Sequence, residues 1–271
     1  MRTSTLFLLG ATAAAAFELP ASLDAIYNTL NSTDANCKKY IDSNHKLYDG
    51  HDNQGWGFCR DLPGAVYVRG PEGKLGDMDV DCDGAANCDV ASNDYQGGTA
   101  FDETLVEDDY GIKSLNATVH PFVVLGTCDV SLTDVIKPLS LVAVVCDGAL
   151  HYAVFGDTNG CDDDNFTGEA SLALARLCFP DDGMSGMNGH EEHDVLYLAF
   201  TSDDAVLGPD DAAWNATDPT VFEESLKAKG DQLLESFVKK AAEARANGRA
   251  AARWAMGGIS MAVLLAADGW L

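Results

Sequence analysis

The sequence predicts a mainly β, α+β fold with a barrel-like or sandwich core, and three observations carry that expectation. Short β-branched or aromatic runs recur at residues 65–68, 121–125, 141–146, 151–155 and 195–200. Gly, Asn and Asp clusters separate them, among them Asp157-Thr158-Asn159-Gly160 and the stretch 183–189. Long amphipathic helices do not alternate with these runs, which disfavours a doubly wound α/β sheet.

At the N-terminus a single cation, Arg2, precedes an apolar run at residues 6–16. Ala14 and Ala16 supply the small residues of a secretory cleavage site, so residues 1–16 read as a signal peptide cut before Phe17. The run is too short to span a bilayer as a helix. Eight cysteines (Cys37, Cys59, Cys82, Cys88, Cys128, Cys146, Cys161 and Cys178) fit export, since an even count in a secreted chain reads as disulfides. No C-x-x-C pair is present, which argues against zinc ribbons and thioredoxin-like chemistry. Asn31, Asn116, Asn165 and Asn215 are glycosylation acceptors by motif.

Two acidic constellations follow. In Asp77-Met78-Asp79-Val80-Asp81-Cys82-Asp83-Gly84, strand periodicity puts Asp77, Asp79 and Asp81 on one face. The stretch admits three readings: a cation-binding stripe, a solvated sheet edge, or a calcium loop beginning at Asp79. The calcium loop is the weakest, because its twelfth position is Val90 in place of Glu. Further on, Asp157 ends an apolar run, and Glu169 precedes the apolar stretch 170–175. Two carboxylates held at the ends of a glycine-containing loop can face each other across a cleft, as glycoside hydrolysis requires. In a chain with 43 acidic residues, spacing alone does not single them out.

Near the end, Asp218 caps a helix that Pro219 starts, with Val221, Phe222, Leu226, Leu233, Leu234 and Phe237 at helical spacing. Gly230 predicts a kink or a split into two helices. One catalytic or binding domain is expected over residues 17–238, with 239–271 as a mildly basic extension. Within that extension the uncharged run 254–267 is short for a membrane span, so an appended helix or a misread gene end is preferred to a glycolipid-anchor signal.

The 271 residues carry 17 Lys plus Arg against 43 Asp plus Glu, a net charge of −26. The leader and extension hold six of the cations and two of the acids, so residues 17–238 reach −30. Such a field excludes nucleic acid as a partner and attracts cations. With 46% hydrophobic residues the chain is not a disordered acidic tail. There is no G-x-S-x-G, Walker or dinucleotide-binding motif. His190 and His193 are three apart, not the four of a zincin helix, and read as surface residues of a Gly-rich loop. Trp56 and Trp214 suit either sugar stacking or the core.

Several segments together resemble the fungal chitosanases of glycoside hydrolase family 75. They are DMDVDCDGA (77–85), GTAFDET (98–104), YGI (110–112), LNATVHPFVVLG (115–126), PLSLVAVVC (138–146), HYAVFGDTNG (151–160), TGEASLALARLCFP (167–180) and HDVLYLAFT (193–201). The resemblance covers most of residues 17–238 in order. It implies that Asp157 and Glu169 are the essential carboxylates and that the reaction inverts configuration, with Glu169 assigned as general acid and Asp157 as base. Asp77, Asp79, Asp81, Thr158 and Asn159 are then expected to bind substrate, the aspartates through glucosamine ammonium groups. Fold-level analogy with another inverting family suggests a six-stranded double-psi barrel.

Six of the cysteines belong to the family pattern, with Cys37–Cys59, Cys82–Cys88 and Cys146–Cys178 as the expected pairs. Cys128 and Cys161 are additional, and their pairing would tie the strand near Val124 to the loop between Asp157 and Glu169. A glycan at Asn165 would narrow the cleft. The expectation is therefore a secreted, monomeric, cofactor-free and metal-free endo-chitosanase acting on a polycationic polysaccharide. The alternatives are hydrolysis of another β-1,4-glycan, or a non-catalytic chitosan- or calcium-binding module.

Overall fold

The structure, a computed structural model, describes residues 16–32, 36–41, 47–51, 53–85, 88, 97–126, 132–159 and 167–264, with side chains to 247. The leader up to residue 15, Asn165, Cys128 and Cys161 lie outside the described residues, so the expected Cys128–Cys161 bridge does too.

A mixed sheet dominates. Its strands among the described residues are β1 (Leu47–Tyr48), β2 (Gln54–Cys59), β3 (Ala65–Arg69), β4 (Gly76–Asp81), β5 (Phe122–Val124), β6 (Leu141–Cys146), β7 (Ala149–Asp157), β8 (Glu169–Ser171) and β9 (His190–Phe200). They pair in the order β1-β2-β3-β9-β4-β8-β5-β7-β6, and β6 pairs again with β9. Six strands therefore close a ring of pairings, leaving β1, β2 and β3 as an antiparallel flap on β9. Among the described residues, only β4–β8 and β5–β7 run parallel.

The local reasons are plain in the strands. All six residues of β6 are apolar and buried, as a strand covered on both faces requires. β9 begins at His190, so the expected loop around His190 and His193 is strand instead; both rings are partly buried and paired with acids. His190 also stacks on Phe179 at 3.8 Å. β4 lies between β9 and β8, which removes the solvated-edge reading, and its extended backbone removes the calcium loop. Trp56 and Trp214 are core residues, 1% and 2% exposed, and are not available to stack on sugars.

Helices pack around this sheet. In α1 (Ala21–Leu30) the residues Leu23, Ile26 and Leu30 recur at helical spacing and face the core. Its C-terminal carbonyl at Leu30 accepts a hydrogen bond from the buried Arg69 guanidinium, a cation placed where the helix dipole favours one. α2 (Asp102–Glu107) and α3 (Leu172–Cys178) are short. α4 (Pro219–Leu264) starts where Asp218 accepts from the Thr220 N–H at 2.9 Å. It runs through residue 238 without interruption, and Ala241 still packs into the core. The expected split at Gly230 does not occur. The glycine is there because Tyr152 passes so close that a Cβ would sit 2.5 Å from its ring. Val221, assigned to the apolar stripe, is 53% exposed. Inside, His151 Nδ1 and Glu223 Oε1 meet at 2.8 Å and fix α4 on β7.

The disulfides Cys37–Cys59, Cys82–Cys88 and Cys146–Cys178 form as expected. Cys146–Cys178 closes a separation of 32 residues. In the chain-entropy account such a bridge contributes about 3–4 kcal/mol. It anchors α3 and, through Ser171, the short strand β8 that carries Glu169.

Candidate active site

Val124 on β5 pairs on one side with Glu169 of β8 and on the other with Asp157 of β7. Glu169 pairs in turn with Asp79 of β4. Asp157, Val124, Glu169 and Asp79 thus form one row across four strands, although 78 residues separate Asp79 from Asp157. A bulge in β7 makes the row. Val123 pairs with Phe155, but Val124 pairs with Asp157, so Gly156 is skipped. Without it Gly156 would face Val124 and Asp157 would fall out of line with Glu169; bulges beside active sites re-aim side chains in this way. Gly156 is needed there, since a Cβ would lie 2.5 Å from Leu115 Cδ1 and 2.6 Å from Phe122 Cβ.

Each carboxylate is held by its surroundings. Asp157 is 4% exposed, and its Oδ1 accepts from the backbone N–H groups of Ala100 (2.8 Å) and Thr158 (2.7 Å). Ala100 is presented by the turn in which Thr99 Oγ1 donates to Asp102 at 2.9 Å, the role of the segment 98–104. Burial, then the charge of Asp81, pushes Asp157 up to about 8 against the pull of those donors. Glu169 keeps part of its surface open, and its Oε2 accepts from Asn159 Nδ2 at 2.7 Å. Burial first and Asp81 second raise it well above the ordinary carboxylate range, while Asn159 works the other way.

Asp81 stands behind both. It is 7% exposed, pairs in register with Ser171, and is pushed up to about 7 by burial and by Asp83. One oxygen each of Asp81, Asp83 and Asp157 lie within 4.8 Å of one another, a grouping able to share protons or hold a cation. Asp83 was visible in the acidic motif only as a calcium-loop position; the turn after β4 brings it to Asp157.

The acidic stripe divides. Asp79 is partly open and lines a cavity of about 340 Å³ with His51, Val80, Glu169, Met187 and Glu191. Asp77 is wholly closed to solvent and faces His51 and His193, so its expected place against a bound sugar does not hold; direct contact requires exposed surface. A larger cavity of about 820 Å³ lies between the N-terminal segment and α4, lined by Phe17, Leu150, Lys227 and Leu234, away from the Asp157–Glu169 row. Apart from two groups whose cysteines are taken up in disulfides, the groups able to hold a metal among the described residues are Asp81/Asp83/Asp157, His51/Asp77/Asp79 and Asp49/Asp77/His193. Neither His51 nor Asp49 stands in a segment that announced it in the sequence.

A family model described as fungal chitosanase of glycosyl hydrolase group 75 matches residues 78–236. An endo-chitosanase of Aspergillus fumigatus is 40% identical over 231 residues, covering 82% of this chain and 93% of that protein. An endo-chitosanase of Aspergillus oryzae is 40% identical over 237 residues, with 83% and 94% covered. Endo-chitosanase B of the same organism is 39% identical over 233 residues, with 82% and 93% covered.

Proposed function

The chain belongs to the fungal chitosanases of glycosyl hydrolase group 75, and from that premise we propose that it hydrolyses β-1,4 linkages within chitosan, with Glu169 and Asp157 as the reacting carboxylates. The observation that carries the assignment is their place in one row on either side of Val124. Two strand spacings separate the backbones by roughly 9–10 Å. That separation favours an inverting pair, whose carboxyl groups stand roughly 6.5–9.5 Å apart to admit a water, over a retaining pair at roughly 5–5.5 Å.

Glu169, raised well above its ordinary value, holds the proton that passes to the leaving glycosidic oxygen. Asp157, fixed by two N–H donors, takes a proton from the water that attacks the anomeric carbon from the opposite face. A bound glucosamine ammonium group beside the cluster lowers Asp157 toward its ionised, basic form. Asp79, open in the cleft, is the carboxylate best placed for that ammonium, with Asp81 acting through its charge. Thr158 holds Asp157 through its N–H, and Asn159 holds Glu169, so both position the pair in place of gripping sugar.

The closed ring of six strands supports a barrel, and the two parallel pairings within it are compatible with the double-psi type. Three disulfides favour an oxidising, extracellular setting for a monomer acting on a polymer. The test is incubation of the purified protein with soluble chitosan. Viscosity should fall before reducing ends accumulate, and the first product seen by NMR should be the α-anomer. Absence of cleavage overturns the activity, and an initial β-anomer overturns inversion.

A further inference from the structure

A second cluster lies beside the cleft and meets the row of Asp157 and Glu169 only at Asp79. Its centre is Asp77, fully shut off from solvent, with neither carboxylate oxygen in a hydrogen bond. His51 Nε2 and His193 Nε2 each lie 3.9 Å from Asp77 Oδ2. His51 Nε2 is also 3.5 Å from Asp79 Oδ1. Two donor triplets therefore share Asp77, the atoms of each within 4.8 Å of one another.

Ligand atoms around a tetrahedral zinc ion with bonds of about 2.0–2.1 Å stand about 3.3 Å apart, so closing the triplet of His51, Asp77 and Asp79, whose atoms lie within 4.8 Å of one another, needs shifts of at most about 1.5 Å. Mixed imidazole and carboxylate donors suit the zinc class of cations, whereas calcium and magnesium prefer oxygen throughout. Gly168 opens the space: at φ +108° it has no Cβ, which would come within 2.6 Å of Asp77 Oδ1. Asp49 is already engaged, accepting from the N–H groups of His51 (2.9 Å) and Asn53 (3.1 Å), from Asn53 Nδ2 (2.7 Å) and from His193 Nε2 (3.1 Å). It ties both histidine segments together and engages the Nε2 of His193, which leaves His51 as the imidazole open to a metal. His51, with 44% of its side chain exposed, and Asp79 open the cluster to the cleft and give an ion its way in.

We propose that His51, Asp77 and Asp79 bind one divalent transition cation of the zinc class, with water completing its coordination and Asp49 holding the His51 segment.

The experiment strips the purified full chain with a chelator, then titrates zinc by calorimetry and cobalt by visible absorption. One equivalent should bind, cobalt should give the intense bands of a low-coordinate nitrogen–oxygen site, and the melting temperature should rise with zinc concentration. Asp77→Asn and His51→Ala should each weaken binding about tenfold or more. Should Asp77→Asn fail to fold, His51→Ala decides, because that side chain is half exposed. Asp157→Asn should leave zinc affinity unchanged. No stoichiometric binding overturns the proposal. So does binding that His51→Ala spares and Asp157→Asn removes, since the ion would then sit on the Asp81/Asp83/Asp157 cluster.

Discussion

Asn159 donates its side-chain amide to Glu169 Oε2 at 2.7 Å, reaching across the loop that leaves β7. A hydrogen bond to a carboxylate favours its ionised form, so Asn159 limits how far burial raises Glu169. Asn159→Ala removes that limit. Such bonds contribute about 1.5–3 kcal/mol. The alkaline limb of the kcat–pH profile should therefore move upward by about one pH unit. A downward shift would mean that Glu169 is not the group whose proton is lost there.

Asp157→Asn and Glu169→Gln each keep shape and remove one acid–base function. Each should lower kcat on soluble chitosan by about 10²–10⁴-fold, with KM within a few-fold of wild type. Reducing-end assays check both, and a kcat within tenfold of wild type in either variant would remove that residue from the chemistry.

Gly156→Ala tests the bulge. The added Cβ meets Leu115 and Phe122 at 2.5 and 2.6 Å, within packed side chains that have little room to yield. Overpacking of this kind costs about 1–3 kcal/mol, and any adjustment moves Asp157 out of line with Glu169. Melting temperature and kcat should both fall, while Gly97→Ala, whose Cβ meets nothing within 4 Å, should change neither.

Gly230→Ala sets two effects against each other. Alanine inside α4 gains about 1 kcal/mol in helix propensity. Its Cβ, however, would sit 2.5 Å from Tyr152 Cε1, and the Tyr152 hydroxyl is held by Asp231 Oδ1 at 3.0 Å, so the ring cannot swing aside freely. A cost of about 1–3 kcal/mol for overpacking wins, and thermal unfolding should show a lower melting temperature.

Stability should fall as pH rises. Asp157 and Glu169 are raised in the folded protein above the ordinary carboxylate values they have when unfolded. Between those limits the folded state holds more protons than the unfolded one, so the slope of stability with pH is negative. This contribution is complete below about pH 4. It is lost as pH climbs through about 8, the value of Asp157. Melting temperatures measured from pH 4 to 9 check it. A rise across that window would contradict the raised values, and Asp157→Asn should flatten the slope.

Local signals made much of the fold legible. The run at 141–146 is apolar at every position because β6 is covered on both faces, and Asp218 caps α4 because an acid before Pro219 needs only its own helix. β8, three residues long, was too short to carry a pattern, and β9 extended back through His190 because β4 supplied partners for a polar stretch. Gly230 reads as a helix breaker in one dimension; in three it is the space for a tyrosine ring.

By itself the sequence determined the acidity, the disulfide-bearing β-rich class and the family resemblance, and only through that resemblance did it point to Asp157 and Glu169 among 43 acids. Only the tertiary structure decided which of the chosen acids share a space. Register and a skipped glycine bring Asp157 level with Glu169, and ring closure buries Asp77 among histidines while leaving Asp79 open. The physical reason is that alternation along a strand fixes a side chain's face, whereas its neighbours depend on strand order and on bulges, which pairing between distant segments sets.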